Sequence, residues 1–426
     1  MRRRVAVTGL GVVSPVGCDV ATFWQSLCAG KSGVDFITEF STEKLRSDIA
    51  ASVKGFEVER YLSHKEAEIY GRVTHFSLGA ASEAIEHAGL GALRAPEDEG
   101  PLPEVPGIAK RTAIGCLMST GMGSVDVFEH QIEKSAARGP RAVSPYFVPG
   151  VMPNGAAALI SMRYGLMGPS YSLASACATG THSIATSALM IEAGDAEVMV
   201  AGGAEAATRL NTVAGFGNAR ALGRAGAGGD PAKVSRPFDK GRTGFVMGEG
   251  AGALVLESEQ HAKARGATIL AYVAGFGMTT DAQHLTRPHT EGLGLALAIE
   301  HALRRAGIGP DAVGYINPHA TSTPQGDVAE VLALRRVFGD RLAKIPMSAT
   351  KSMIGHLLGG AGAVESIAVV CSLRDQRIHP SINVDELEPG LDLDLVREAR
   401  AADVRYAAKC SAGFGGHNCA LIFERA

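Results

Sequence analysis

The chain has 426 residues, of which 46% are hydrophobic and 20% charged, and it carries a net charge of −3. That balance excludes a disordered chain, and weak acidity without a long basic block gives no electrostatic case for nucleic acid. The length exceeds what one hydrophobic core usually organises, so about two units of roughly 200 residues each are expected.

The opening Met1-Arg2-Arg3-Arg4 followed by VAVTGLGVVSPVGC has the basic-then-apolar outline of a signal peptide. Thr8, Gly9 and Gly11 interrupt the apolar part, so it reads as a strand running into a glycine turn. A helix is expected from about Ala21, a surface excursion over Gly91 to Gly107, and a strand at TAIGCLM. YSLASA reads as a short strand, followed by THSIATSALMIEAGD, whose Ile184, Ala185, Ala188 and Leu189 fall at helical spacing before Gly194. AEVMVAGG, GALVLES and ATILAYVAGFG read as further strands, with a loop at Ala225 to Asp230. The alternation of strand and helix predicts an α/β architecture with buried parallel strands. The charged run ESEQHAKARG marks a seam between units spanning 1–260 and 261–426. AYVAGFGMTTDA, just after it, faintly echoes the opening VAVTGLGVVSPVG, as an internal repeat would.

Seven cysteines stand singly without a CxxC pair, so neither a zinc site nor a disulfide framework is indicated, and their odd number fits a reducing compartment. No run of 18 apolar residues is present to span a bilayer, and a soluble, cytoplasmic protein without membrane insertion is expected.

Four clusters carry chemistry. Cys177 stands where a strand turns into a helix. There, free backbone N–H groups and the helix dipole favour a thiolate and can hold an oxyanion. Taken alone it reads equally as a buried structural cysteine. Asn317-Pro318-His319-Ala320-Thr321-Ser322-Thr323-Pro324-Gln325-Gly326-Asp327 puts His319 on a loop after the strand-like VGYIN, a usual address for active-site groups. Ser348-Ala349-Thr350-Lys351-Ser352-Met353-Ile354-Gly355-His356 precedes a glycine-rich helix. Gly413-Phe414-Gly415-Gly416-His417-Asn418 reads as a mobile aromatic loop.

Together and in this order, Cys177, HATSTPQGD, KSMIGH and GFGGHN resemble the β-ketoacyl-acyl-carrier-protein synthases of the I/II type, which include polyketide ketosynthases, and RPFDKGRTGFVMGEGAGALVLE (236–257) is a stretch typical of the same enzymes. The resemblance runs nearly the whole length. It implies the thiolase fold, with two similar halves stacked as α-β-α-β-α. The first half would carry the nucleophilic Cys177, and the second both histidines, the lysine and the gate. It implies an acyltransferase of fatty-acid synthesis or, alternatively, of a polyketide or other specialised pathway. Cys177 would take an acyl group from acyl carrier protein, and His319 and His356 would bind the enolate formed when a malonyl partner loses CO2. Lys351 would orient His356 and other site groups. Glu330 and Glu365 would support the arrangement, and the N–H groups of Cys177 and Phe414 would form the oxyanion hole. The Phe414 ring would gate the site. Thr321 and Thr323 would bind the phosphopantetheine arm, which arrives on the carrier, so no bound cofactor or metal is expected. Met122 and Phe216 would line the acyl pocket, and Arg220 would contact the carrier. A homodimer is implied, or a heterodimer with a related subunit. A non-catalytic chain-length subunit is disfavoured by the presence of Cys177, His319 and His356. A degradative thiolase would need Cys410 or Cys419 as a second catalytic thiol.

Three positions depart from the family pattern. Ala320, behind Pro318, replaces a Gly and narrows or stiffens the pantetheine entry. Ala412 replaces a Phe beside the gate. Lys409 and Cys410 replace small polar residues. Some relatives bind a monovalent cation near this point with Asn and Glu, and the Lys409 ammonium is expected to substitute for it beside Asn317 and Glu365.

Overall fold

The computed structural model describes residues 2–96, 100, 102–226 and 228–426. Parts of two expected loops, at 97–99 and 101 and at 227, lie outside the described residues, as does Met1. Nine strands form one sheet: β1 (Val5–Val13), β2 (Ile114–Thr120), β3 (Ser170–Tyr171), β4 (Val198–Glu205), β5 (Gly250–Ser258), β6 (Ala271–Thr280), β7 (Val313–Asn317), β8 (Tyr406–Gly413) and β9 (His417–Arg425). Their order is β3-β2-β4-β5-β1-β6-β9-β8-β7. The helices that matter for the site are α1 (Arg72–His87), α2 (Thr179–Ala193), α3 (Leu293–Ala306), α4 (Pro324–Phe338) and α5 (Ala361–Asp375).

The order contains one pattern twice. β2-β4-β5-β1 and β7-β8-β9-β6 each begin with a parallel pair and continue with two antiparallel pairs. A helix precedes the second strand of each set, α2 before β4 and α5 before β8. The echo between the two Gly-x-Gly strands is part of this duplication. A Cβ on Gly11 would lie 2.0 Å from the Ala80 carbonyl of α1, and one on Gly277 2.0 Å from the Ala298 carbonyl of α3. In each half, glycine lets an outer helix lie directly on the first strand.

The strands are less parallel than expected. Among the nine described strands, parallel pairing of one with another is confined to β2 with β3 and β4, and to β7 with β8. The continuous apolar runs arise because every long strand is covered on both faces, whatever its direction. Leu117 of β2 points into the central core with α2 and α5, while Cys116 and Met118 point outward toward α1. Leu421 and Phe423 of β9 point inward, and Ala420 and Ile422 outward toward α3 and α4. The layers are thus α1, the first sheet half, α2 with α5, the second sheet half, and α3 with α4. Residues Ala361 to Leu373 of α5 are buried without a break, as a helix sandwiched between two sheets must be. No helix among the described residues is long and apolar enough to cross a membrane.

Candidate active site

Of the run 168–176 only Ser170–Tyr171 pairs as strand; the chain then enters α2 through a tight turn, Ala176–Ala178. Ala176 has φ +50°, a left-handed conformation that costs a non-glycine residue about 1–2 kcal/mol. Such strain persists where the surroundings over-determine it. Here β8 supplies them, because a Cβ at Gly413 would stand 2.7 Å from the Ser175 carbonyl oxygen and 3.1 Å from the Cys177 nitrogen. The sulfur is buried and faces the backbone N–H groups of Phe414 and Cys177. Burial nevertheless pushes the Cys177 thiol up to about 11, against the pull of Lys351 and those N–H groups. Desolvation thus outweighs the pull of the helix terminus toward a thiolate, and the resting form is the thiol.

His319 follows β7, and its loop hangs on one carboxylate. Glu330 of α4 accepts the N–H of His319 at 2.6 Å and of Ala320 at 2.7 Å. Burial pushes the Glu330 carboxyl up to about 7, while those N–H groups pull it down. Ala320, where the family pattern has Gly, sits at φ +41°. His356 is fixed by its own backbone N–H, which donates to the Val246 carbonyl at 2.7 Å. The two imidazole centroids are 5.3 Å apart at 87°, and Phe245 stands 5.3 Å from His356. Nδ1 of His319 and both ring nitrogens of His356 have no protein partner. Burial, and after it the positive charge of Lys351, holds both histidines well below the usual range, with Lys409 adding to the effect. Both are therefore neutral near pH 7, each with one N–H to offer.

Beneath them lies a buried triad of two lysines and one glutamate. Lys351 donates to the His319 carbonyl at 2.6 Å and pairs with Glu365. Lys351 thus reaches the His319 loop, one of the site groups it was expected to orient, and Gly355, at φ +66°, turns the chain between Lys351 and His356. Lys409 is fully buried, lies 2.9 Å from the other Glu365 oxygen, donates to Ser411 Oγ at 3.1 Å and also reaches the Cys410 carbonyl. It stands opposite Asn317 in the β8–β7 register.

These groups open onto a cavity of about 520 Å³. Cys177, His319, His356 and Glu330 line it, as do Thr321, Thr323, Phe216, Arg220 and Phe414. The Thr321 and Thr323 hydroxyls lie 3.0 Å apart. Phe414 sits on the short turn between β8 and β9, its ring 6.2 Å from Phe216, which stands 5.4 Å from Phe245. The expected mobile loop is thus a hairpin turn. It is tied to a neighbouring segment by the Gly415 N–H, which donates to the Leu285 carbonyl at 2.7 Å.

Met122 does not line this cavity. It stands on the turn after β2 with its side chain 44% exposed. Cys410 and Cys419 are buried in the cores flanking β8 and β9 and do not reach the cavity either, which removes the second thiol a thiolase needs. Arg220 sits at the mouth in a left-handed conformation, φ +56°, and has no acidic partner among the described residues. Sequence reasoning missed Phe245, Leu358 and Glu205. Phe245 lay in a recognised motif, but nothing local marked the other two.

Residues 2–262 match the Beta-ketoacyl synthase, N-terminal domain family, and 270–385 match the Beta-ketoacyl synthase, C-terminal domain family. The chain is 45% identical to the 3-oxoacyl-[acyl-carrier-protein] synthase 2 of Vibrio cholerae over 427 residues, covering 100% of this chain and 99% of that one. Two solved structures superpose over 100% of both chains. One, at TM-score 0.89 and 30% identity, is a type II PKS acyl-carrier protein in complex with its ketosynthase bound to the hexaketide. The other, at TM-score 0.88 and 34% identity, is the ishigamide ketosynthase/chain length factor. With likeness sustained along both halves, the chain belongs to the β-ketoacyl synthase family and has the thiolase fold.

Proposed function

We propose that the chain is a 3-oxoacyl-[acyl-carrier-protein] synthase, an acyltransferase that joins an acyl thioester to a malonyl thioester by decarboxylative Claisen condensation in fatty-acid synthesis. One observation carries the reading: a thiol under two N–H groups shares a cavity with two neutral histidines whose ring nitrogens are open. Cys177, losing its proton as it reacts, attacks the thioester carbonyl, and the oxyanion accepts the N–H groups of Cys177 and Phe414. The carrier thiol leaves with a proton. Malonyl carrier then enters past Phe414 and loses CO2, and its enolate oxygen accepts an N–H from each of His319 and His356. The enolate carbon attacks the Cys177 thioester, the C–S bond breaks with the electron pair leaving on sulfur, and a proton taken up from solvent regenerates the thiol.

Thr321 and Thr323 bind the pantetheine arm, Phe216 lines the acyl side, and Arg220 meets the acidic carrier. Lys351 and Glu330 hold the His319 loop. The place beside Asn317 and Glu365 does not fit the monovalent cation of some relatives, because the Lys409 ammonium already rests on Glu365. Lys409 is read as the cation of that place, and no metal or resident cofactor enters the reaction. The partners are acyl carrier protein and a second subunit, identical or related, in the cytoplasm.

Mass spectrometry tests the reading. An acyl carrier protein should add its acyl mass to the Cys177 peptide, and Cys177→Ala should abolish both acylation and condensation. Elongation by the alanine variant would end the proposal. The likeness to polyketide ketosynthases favours one second reading, a specialised pathway with the same chemistry, which a panel of acyl carriers separates by chain preference.

A further inference from the structure

We propose that Glu205 is a positioning residue that holds Leu358 against Cys177 and so sets which acyl chains the cavity accepts; this rests on the ketosynthase reading. Glu205 ends β4 and is fully buried. Its carboxylate ties the end of β4 to two separate segments. It accepts the Thr120 hydroxyl at 2.9 Å, the Gly121 N–H at 3.1 Å, the Met122 N–H at 3.3 Å and the Gly359 N–H at 3.1 Å. Those two segments touch through glycine: a Cβ on Gly359 would lie 2.4 Å from the Gly121 nitrogen.

The residue beside Gly359 is Leu358, with φ +45°, a conformation leucine rarely adopts. Leu358 shares one apolar cluster with Cys177, Ala207 and Phe245, and it lines the cavity. A strained leucine stays in place only where its neighbours leave no alternative. The Glu205 bond to the next N–H supplies that constraint. Without it, Leu358 swings toward an ordinary backbone conformation and the wall beside the thiol moves.

The test compares kcat/KM for short and long saturated acyl chains on the carrier. Glu205→Gln replaces one acceptor oxygen with an NH2 facing backbone N–H groups. It should change the long-to-short ratio by about 10-fold, the low end of what one methylene of pocket shape discriminates. Leu358→Gly keeps the left-handed backbone but deletes the wall, and should change the ratio in the same direction. Thr120→Val removes the hydroxyl's bond to Glu205, with the one it accepts from the Gly123 N–H, but leaves the Glu205–Gly359 bond and should move the ratio less, providing a readout if Glu205→Gln does not fold. A uniform fall in kcat with an unchanged ratio in Glu205→Gln overturns the assignment. So does an unchanged ratio in Thr120→Val or in Leu358→Gly. Failure of the wild type to condense any acyl chain would instead sink the ketosynthase reading and is seen separately.

Discussion

Replacing Lys409 by Ala tests the idea that the protein carries its own cation. At 2.9 Å from Glu365, an effective dielectric near 20 gives about 6 kcal/mol of gross attraction. Removing the ammonium recovers the several kcal/mol spent on desolvating it. Glu365 also keeps Lys351 as a partner, so no buried charge is stranded. The net loss is about 1–3 kcal/mol, and for a chain of this length Tm falls by about 1 °C per kcal/mol. The catalytic effect is larger. Glu365, left to Lys351 alone, draws that ammonium from the His319 carbonyl it holds at 2.6 Å. A misplacement of about 1 Å costs on the order of 100-fold in rate, so kcat for malonyl decarboxylation should fall by about 10- to 100-fold. Losing a positive charge also raises the pKa of both histidines, so the acid limb of the pH–rate profile moves up. Potassium or ethylammonium should partly restore the variant, while the wild type works equally well in choline buffer. A wild type that needs added potassium or sodium, or a Lys409→Ala variant with unchanged kcat and pH profile, refutes the argument.

Acid should unfold the protein partly through Glu257. Burial raises its carboxyl, yet Arg265, His261 and Thr8 outweigh that and hold it at about 2. A depressed folded pKa contributes stability above the unfolded value of about 4.5 and loses it as pH falls toward 2; two to three units amount to about 3 kcal/mol. Denaturant melts of wild type and Glu257→Gln across that window should converge at low pH, and parallel curves would refute the assignment. Ala412→Phe puts an aromatic ring into the cavity beside Phe414. It should lower kcat/KM for long acyl chains by about 10-fold relative to short ones; an unchanged preference would mean that this end of the cavity holds no acyl carbon.

The site was legible in the sequence because each reactive residue stands at a strand end or a helix start, within an unusual local run. Cys177, His319, Lys351, His356 and Phe414 all sit within such runs, and four of the five line one cavity while Lys351 lies directly beneath it. The duplication was legible for the same reason, since the Gly-x-Gly pattern is imposed by an outer helix lying on the strand. What tertiary packing decides was not. Met122 reads as a pocket residue, but the turn after β2 leaves it half exposed. The thiol reads as a thiolate from its helix start, yet burial dominates its chemistry. Strand direction was misread because burial on both faces erases the alternation that marks most antiparallel strands.

The duplication explains why a leucine is held in a strained conformation far along the chain from the nucleophile. In the first half, Ala176 at φ +50° opens a tight turn, Cys177 follows, and α2 begins at Thr179. In the second half, Leu358 at φ +45° opens a tight turn, Gly359 follows, and α5 begins at Ala361. The spacing is identical, so Gly359 is the counterpart of Cys177. The helices also approach one another through equivalent glycines: a Cβ on Gly180 would lie 2.8 Å from the Ala363 nitrogen, and one on Gly362 2.0 Å from Thr181 Oγ1. One elbow presents a thiol. The other presents a bare N–H, which Glu205 takes. The loops after β2 and β7 follow the same logic, for a buried carboxylate grips successive N–H groups in each: Glu205 on Gly121 and Met122, Glu330 on His319 and Ala320. Burial pushes both carboxyls up to about 7. A duplicated framework has thus divided the work. The first half keeps the nucleophile and the second keeps the histidines, while the second half's elbow, emptied of a reactive side chain, is free to serve as the wall.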